Sequence, residues 1–154
     1  MKKLKAAVIA LVLFAPVAAH AGGTQIGTAP LLLSLGVTNI YGQFQLGNTS
    51  ALVASYSTIN GSYGSDTLNL SSYSLAYKSY FNEYGNGGYW EIGAGNFDVK
   101  ASTSSTFTST GNVIIPIAVA GYEWNLGSFV LGAEGGIGTG GGWGFLGVNA
   151  ALQF

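Results

Sequence analysis

Cysteine is absent from the 154 residues, which removes disulfide scaffolds, thiolate metal sites and thiol catalysis together. Charge is almost absent as well. Only 7% of the residues are Asp, Glu, Lys or Arg, against about 25% in an ordinary soluble domain, while 48% are hydrophobic. A disordered chain needs the opposite balance, so that class is excluded too. Arginine is missing altogether, and the one histidine is His20. Beyond residue 21 the longest apolar run is Val113 to Ala120, eight residues containing Pro116, far short of the roughly 18 that a membrane-spanning helix requires. What the chain does have is glycine: all 25 lie beyond residue 21, and each interior one disfavours a helix by about 1 kcal/mol relative to alanine.

The first 21 residues stand apart. Met1 to Lys5 carries three lysines, Ala6 to Ala19 is an apolar run of fourteen, and Ala19-His20-Ala21 is a small-x-small cleavage site. This order predicts a secretory signal peptide over 1–21, removed to leave a single domain at 22–154. The run is too short for a first membrane helix of about 20 residues. Cleavage takes the only histidine with it. The remaining charges are Lys78 and Lys100 against Asp66, Glu83, Glu91, Asp98, Glu123 and Glu134, a net of −4. Binding nucleic acid means neutralising phosphates with Lys and Arg, so two lysines on an acidic chain exclude that partner. Anionic headgroups are equally poor electrostatic partners.

Segments of period two, separated by Gly, Asn, Ser and Thr clusters, give an all-β reading. Eight stretches are counted: 31–38, 40–47, 51–58, 69–81, 88–98, 113–124, 128–137 and 144–154. Their connections alternate. Asn48 to Ser50, Asn82 to Gly87 and Asn125 to Gly127 are short, whereas 59–68, 99–112 and 138–143 are long. An even strand count with short turns on one rim and long loops on the other predicts an eight-stranded antiparallel up-and-down transmembrane β-barrel. One junction breaks the pattern: the apolar parity of Leu31, Leu33, Leu35 and Val37 flips before Ile40, Phe44 and Leu46. A tight hairpin at Thr38-Asn39 is the favoured explanation and a bulged single strand the alternative. A bulge would require another strand hidden elsewhere.

The last strand alternates most clearly. Leu146, Val148, Ala150, Leu152 and Phe154 share one face, and Phe145, Gly147, Asn149, Ala151 and Gln153 the other. Eleven residues at about 3.3 Å each can cross an apolar band about 25 Å tall when tilted. In 69–81, Tyr73, Leu75, Tyr77 and Phe81 oppose Ser74, Ala76, Lys78 and Tyr80. Tyr89, Trp90, Tyr122, Trp124, Phe129 and Trp143 near strand ends fit interfacial aromatic girdles. The competing fold is a secreted soluble β-sandwich with those aromatics in its core.

With its terminal aromatic and the element Leu152-Gln153-Phe154, the chain resembles the small eight-stranded Gram-negative outer-membrane β-barrel superfamily. Leu152 and Phe154 match the hydrophobic-x-aromatic end of its C-terminal assembly signal. Gly147 and Asn149 depart from it, standing where that signal prefers a polar residue and then glycine. The resemblance covers a pattern over about 130 residues and implies fold and location more than activity. It implies a monomer in the outer membrane, in contact with its lipids and handled during biogenesis by periplasmic chaperones and the barrel assembly machinery.

Catalysis has little to draw on. A serine or threonine nucleophile needs an adjacent base, and no histidine remains after residue 21. Gly136, Gly138 and Gly141 match G-x-G-x-x-G, but no helix opens there and no acidic residue follows. No metal or cofactor is expected. The constellation that stands out is Lys78, Glu91, Glu123 and Glu134, all on the polar parity of their strands. Lys78 and Glu91 lie equidistant from a turn centred between Tyr84 and Gly85, so they are expected to pair across it in the lumen. One lysine cannot neutralise three glutamates, and water or a protonated carboxyl must take up the remainder. The cluster is expected to plug and register the barrel, since eight strands leave room only for side chains. A narrow cation-preferring path is the alternative, motivated by inward glycines at 93, 95, 121, 132, 136 and 147, unless Tyr41, Tyr80 and Phe145 fill the space. The hydroxyl-rich stretch 99–112 suits a β-extension beyond the membrane, and thereby adhesion through strand addition.

Overall fold

The computed structural model describes residues 23–63, 66–102, 108–138 and 143–154; the expected signal peptide at 1–21 lies outside them. The strands are β1 (Thr24–Thr28), β2 (Val37–Gly47), β3 (Ser50–Tyr63), β4 (Asp66–Tyr80), β5 (Gly87–Ser102), β6 (Thr108–Asn125), β7 (Phe129–Gly138) and β8 (Trp143–Gln153), with a short helix α1 (Pro30–Ser34) between β1 and β2. Each pairs antiparallel with its sequence neighbours, and β1 pairs with β8, giving a closed eight-stranded barrel. Closure satisfies the backbone without leaving an edge. Beyond the four β1–β8 register pairs, Thr24 and Phe154 exchange two main-chain hydrogen bonds, Thr24 N to Phe154 O at 3.3 Å and Phe154 N to Thr24 O at 2.9 Å. The C-terminal residue therefore fastens the seam.

The eighth strand is not where the sequence pattern put it. No strand forms over 31–36, and no hairpin at Thr38-Asn39. Pro30 occupies the first turn of α1, where its missing N–H costs nothing, and Gly36 reverses the chain at φ +79°. β2 then runs unbroken through Thr38 and Asn39 opposite Thr58 and Ser57, and its register shift with β3 falls instead between Gln45 and Gly47. The strand hidden elsewhere is β1, five residues upstream. Leu31, Leu33 and Leu35 imitate strand alternation while lying on α1 and the turn after it, all exposed.

Above Thr28 the wall between β8 and β2 is continued by α1. Asn39 stitches this place: its Oδ1 accepts from Ala29 N at 3.2 Å, its Nδ2 donates to Ser57 Oγ at 2.7 Å, and its carbonyl accepts from Thr28 Oγ1 at 2.7 Å. Of the stretches expected as long loops, the described residues of 59–68 and 99–112 are strand. β3 and β4 pair as far as Tyr63 with Asp66, and β5 and β6 as far as Ser102 with Thr108. Among the described residues the β6–β7 ladder runs to Ile117 with Gly138 and the β2–β3 ladder to Val37 with Ile59, while β3 to β6 pair further.

The polarity is inverted relative to a soluble domain. Leu75, Ile92, Ile114, Ile137 and Leu146 are exposed on the outer face, and Gln25, Gln43, Lys78, Glu91, Glu123 and Asn149 are buried inside. The alternation expected for β4 and β8 holds residue by residue.

Candidate functional site

All four charged residues singled out by parity point into the lumen, from β4, β5, β6 and β7. Lys78 and Glu91 are register partners, as the turn symmetry predicted, but the ion pair forms elsewhere. Lys78 Nζ meets Glu123 Oε1 at 2.5 Å, with side chains 3% and 0% exposed, and donates to Gln43 Oε1 at 2.9 Å. Tyr80 Oη completes Glu123 by donating to Oε2 at 2.7 Å, and Gln43 Nε2 donates to Tyr80 Oη at 2.5 Å. Glu123 wins the lysine because both its oxygens are bonded at once, which a buried ion pair requires. The ammonium also lies 3.6 Å from the centroid of the Tyr89 ring.

Glu134 belongs to a second group. Its Oε2 accepts from Tyr89 Oη at 2.8 Å and from Asn149 Nδ2 at 3.1 Å. Glu91, 9% exposed, has no hydrogen-bond or ion-pair partner among the described residues. Asn149 Oδ1 and Tyr41 Oη are likewise buried without partners.

Glycines do not leave the lumen hollow. Register pairs set an inward glycine beside an inward aromatic at Gly27 with Tyr41, Gly121 with Tyr89 and Gly136 with Phe145. Each ring lies over its glycine: a Cβ at Gly121 would fall 2.6 Å from Tyr89 Oη, and one at Gly136 2.6 Å from Phe145 Cε1. Tyr41 and Tyr80 are buried as volume-fillers, and Phe145 packs against the cluster of Tyr80, Tyr84, Tyr89 and Val119. Tyr89 is 1% exposed and inward, so it does not belong to the girdle. Its parity is that of Glu91, which the sequence already carried. From the short β4–β5 turn, Tyr84 folds back into that end of the lumen and donates to the Gln43 carbonyl at 3.3 Å, its hydroxyl held above the ordinary range by burial.

Outside, Trp90, Tyr122, Trp124 and Phe129 are exposed near the end that holds the short turns and the C-terminus. Tyr77 and Trp90 rings lie 5.8 Å apart, and Tyr122 and Trp124 4.9 Å. Tyr56 and Tyr73 make a matching pair, 4.9 Å apart, towards the other end. The side chain of Trp143 lies outside the described residues. Leu152 and Phe154 project outward from the end of β8 and are exposed.

These features define a closed eight-stranded antiparallel up-and-down β-barrel with an apolar outer face and a polar lumen. The chain is similar to the N-terminal β-barrel domain of Pseudomonas aeruginosa OprF, with a TM-score of 0.63 at 17% identity over 86% of this chain and 97% of that one. It is also similar to Ail, the attachment invasion locus protein of Yersinia pestis, in complex with the heparin analogue sucrose octasulfate, with a TM-score of 0.55 at 14% identity over 86% and 95% of the two chains. A second Ail structure gives 0.53 at 14% identity, with the same coverage. No protein-family model matches the chain, and no curated protein does.

Proposed function

We propose that the chain is a monomeric integral outer-membrane protein of a Gram-negative envelope, exported through the cleaved peptide 1–21, with a structural or surface-exposed role and no catalysis. The observation that carries this is the inverted polarity, an apolar outer wall around a buried polar lumen, which only a lipid environment rewards. Supporting it, Tyr73 and Phe81 lie eight residues apart on one outer face, about 27 Å along the strand and roughly 20 Å vertically after tilting, close to the apolar band such barrels present. Its partners are then the outer-membrane lipids, with periplasmic chaperones and the barrel assembly machinery during insertion. Heat-dependent gel mobility of the outer-membrane fraction tests the reading. Different migration of boiled and unboiled protein is expected, and recovery from soluble periplasm or medium would overturn it.

A wide pore is disfavoured by the Lys78, Glu123, Tyr80 and Gln43 network and by Tyr84 at the short-turn end. The narrow-channel alternative requires discrete conductance in planar bilayers that changes with Glu134→Gln. Adhesion has a specific observation in its favour: beyond Pro116, residues 108–115 of β6 pair only with β5 among the described residues, and their outer neighbours turn polar at Asn69, Asp98, Lys100 and Asn112. On this reading a protein partner would be bound by strand addition along that extension. The sulfated ligand of the Ail complex is a poor guide here, because this chain offers two lysines beyond residue 21, one of them buried. Moving 99–112 onto a non-adherent barrel should confer binding if the adhesion reading holds.

A further inference from the structure

The sheet of β3 to β6 changes its polar side part of the way along. These strands pair without a register shift up to Tyr63 with Asp66 and Ser102 with Thr108, so strand parity holds along their whole length. Up to the row of Tyr56 and Tyr73 the outward face carries apolar residues such as Leu75 and Ile92, and the inward face carries Ser55, Ser74, Lys78 and Glu91. Beyond that row the assignment reverses. Outward come Thr58, Ser71, Asp98 and Asn112, then Asn60, Asn69, Lys100 and Thr110. Inward come Ile59, Leu68, Leu70, Phe97, Val99 and Val113, with Leu68 42% and Val113 47% exposed.

The glycines show that this inward face borders open space. Deeper in the barrel Gly121 and Gly136 lie under aromatic rings, whereas a Cβ at Gly61, the register partner of Leu68, or at Gly111, the partner of Val99, would meet no described atom closer than 3.9 Å. Phe97 forms the floor: its Cε2 would stand 2.8 Å from a Cβ on Gly95, the next inward residue towards the lumen. On the other half of the barrel the described strands stop sooner, β7 at Gly138 and β8 at Trp143, with β2 beginning at Val37 opposite Ile59. Eight strands enclose a width that side chains just fill. Four strands alone leave room beside them for one slender molecule.

We propose that this hollow at the barrel mouth binds one uncharged small molecule with a slender apolar body, of the alkyl-chain class. Barrel mouths are a usual place for small-molecule sites, and an apolar patch rimmed by polar residues marks one. None of the six lining side chains carries a charge or a hydrogen-bonding group, so an ion or a saccharide has nothing there to recognise it, and Asp66 at the rim of the same face disfavours an anion. Six residues are also far fewer than the roughly 20–30 a side of a stable protein interface, which sets aside a second copy or a folded partner. Phe97 to Ala101 spans four residues, about 13 Å, enough for a medium-length alkyl chain. The inference rests on the outer-membrane reading for its orientation and goes beyond it in assigning a ligand.

The test uses the full mature chain with labelled Ile, Leu and Val methyls, refolded into lipid nanodiscs and titrated with decanol while NMR follows each methyl. Saturable shifts are expected at Ile59, Leu70, Val99 and Val113, with only a linear drift at Ile92 and Ile137 on the lipid-facing wall. Measured against free aqueous concentration, octanol should bind on the order of tenfold more weakly for its two missing methylenes. Ionised decanoate should give no saturable shift. Gly111→Phe puts a ring where a Cβ meets no described atom within 4 Å, so it should keep heat-dependent gel mobility and lose the saturable shifts. No saturation at the four methyls of the unmodified chain would overturn the proposal, as would saturation that survives Gly111→Phe or equal affinity for decanoate. Methyls shielded from a water-soluble paramagnetic probe before any decanol is added would give the hollow to the chain's own segments, and concentration-dependent pairing of barrels would give it to a second copy. Either result rejects the ligand. Loss of heat-dependent mobility in the unmodified chain would reject the barrel reading itself, whereas retained mobility without saturation rejects the ligand alone.

Discussion

Glu123 and Glu91 are both inward glutamates within reach of one lysine, yet they stand in different states, and substitution should separate them. Glu123→Gln leaves the buried Lys78 ammonium without its counter-charge and is expected to destabilise the barrel by on the order of 3 kcal/mol. Glu91→Gln removes a carboxylate that has no partner among the described residues and should leave stability unchanged or higher. Urea unfolding of the refolded protein reads both. The opposite ranking would restore the Lys78–Glu91 pair that turn symmetry suggests. Strand parity carried all four charged residues into the lumen, because alternation decides the face. It did not carry the choice of partner. A lysine stem spans several residues, and the choice depended on Tyr80 and Gln43, whose bonds to the pair cross the lumen between β2, β4 and β6, strands that are not neighbours in the sheet.

Between strands, the governing device is an aromatic ring laid over a glycine on its neighbour. Gly121→Ala would drive a Cβ to 2.6 Å from both the Ala133 carbonyl and Tyr89 Oη, and overpacking of this kind costs about 1–3 kcal/mol. Gly111→Ala, in the same strand but with nothing within 4 Å of the new atom, should change stability by less than about 0.5 kcal/mol. Thermal unfolding of the two variants tests whether inward glycines are packing positions or empty space. Strands β4 to β8 were legible because their alternation is long and regular. β1 was not: five residues with two threonines and a glycine carry too little pattern. Leu31 to Leu35 misled because i, i+2, i+4 leucines exposed on α1 and the turn after it look the same in sequence as a strand face. Pro30 was the available signal, a residue suited to a helix start and poorly suited to a strand interior.

For the molecule as a whole, the near-absence of charge becomes a spatial statement: of the eight charges beyond residue 21, four are in the lumen, and Asp66, Glu83, Asp98 and Lys100 lie at a turn or in the extended parts of β4 and β5. A charge placed on the apolar wall should therefore be costly. Leu146→Arg, at the most exposed large hydrophobic residue among those described, is expected to lower stability in lipid vesicles by up to about 2–4 kcal/mol, with the larger figure if the site lies at midplane. The chain's lack of cysteine permits the most direct measurement. Single cysteines introduced at 145, 146, 148, 149, 152 and 153, labelled with a small fluorophore and refolded into vesicles of acyl-brominated lipid, report which side chains meet hydrocarbon. The inverted barrel predicts strong quenching at 146, 148 and 152 and little at 145, 149 and 153. Uniform quenching, or none at any position, would contradict it.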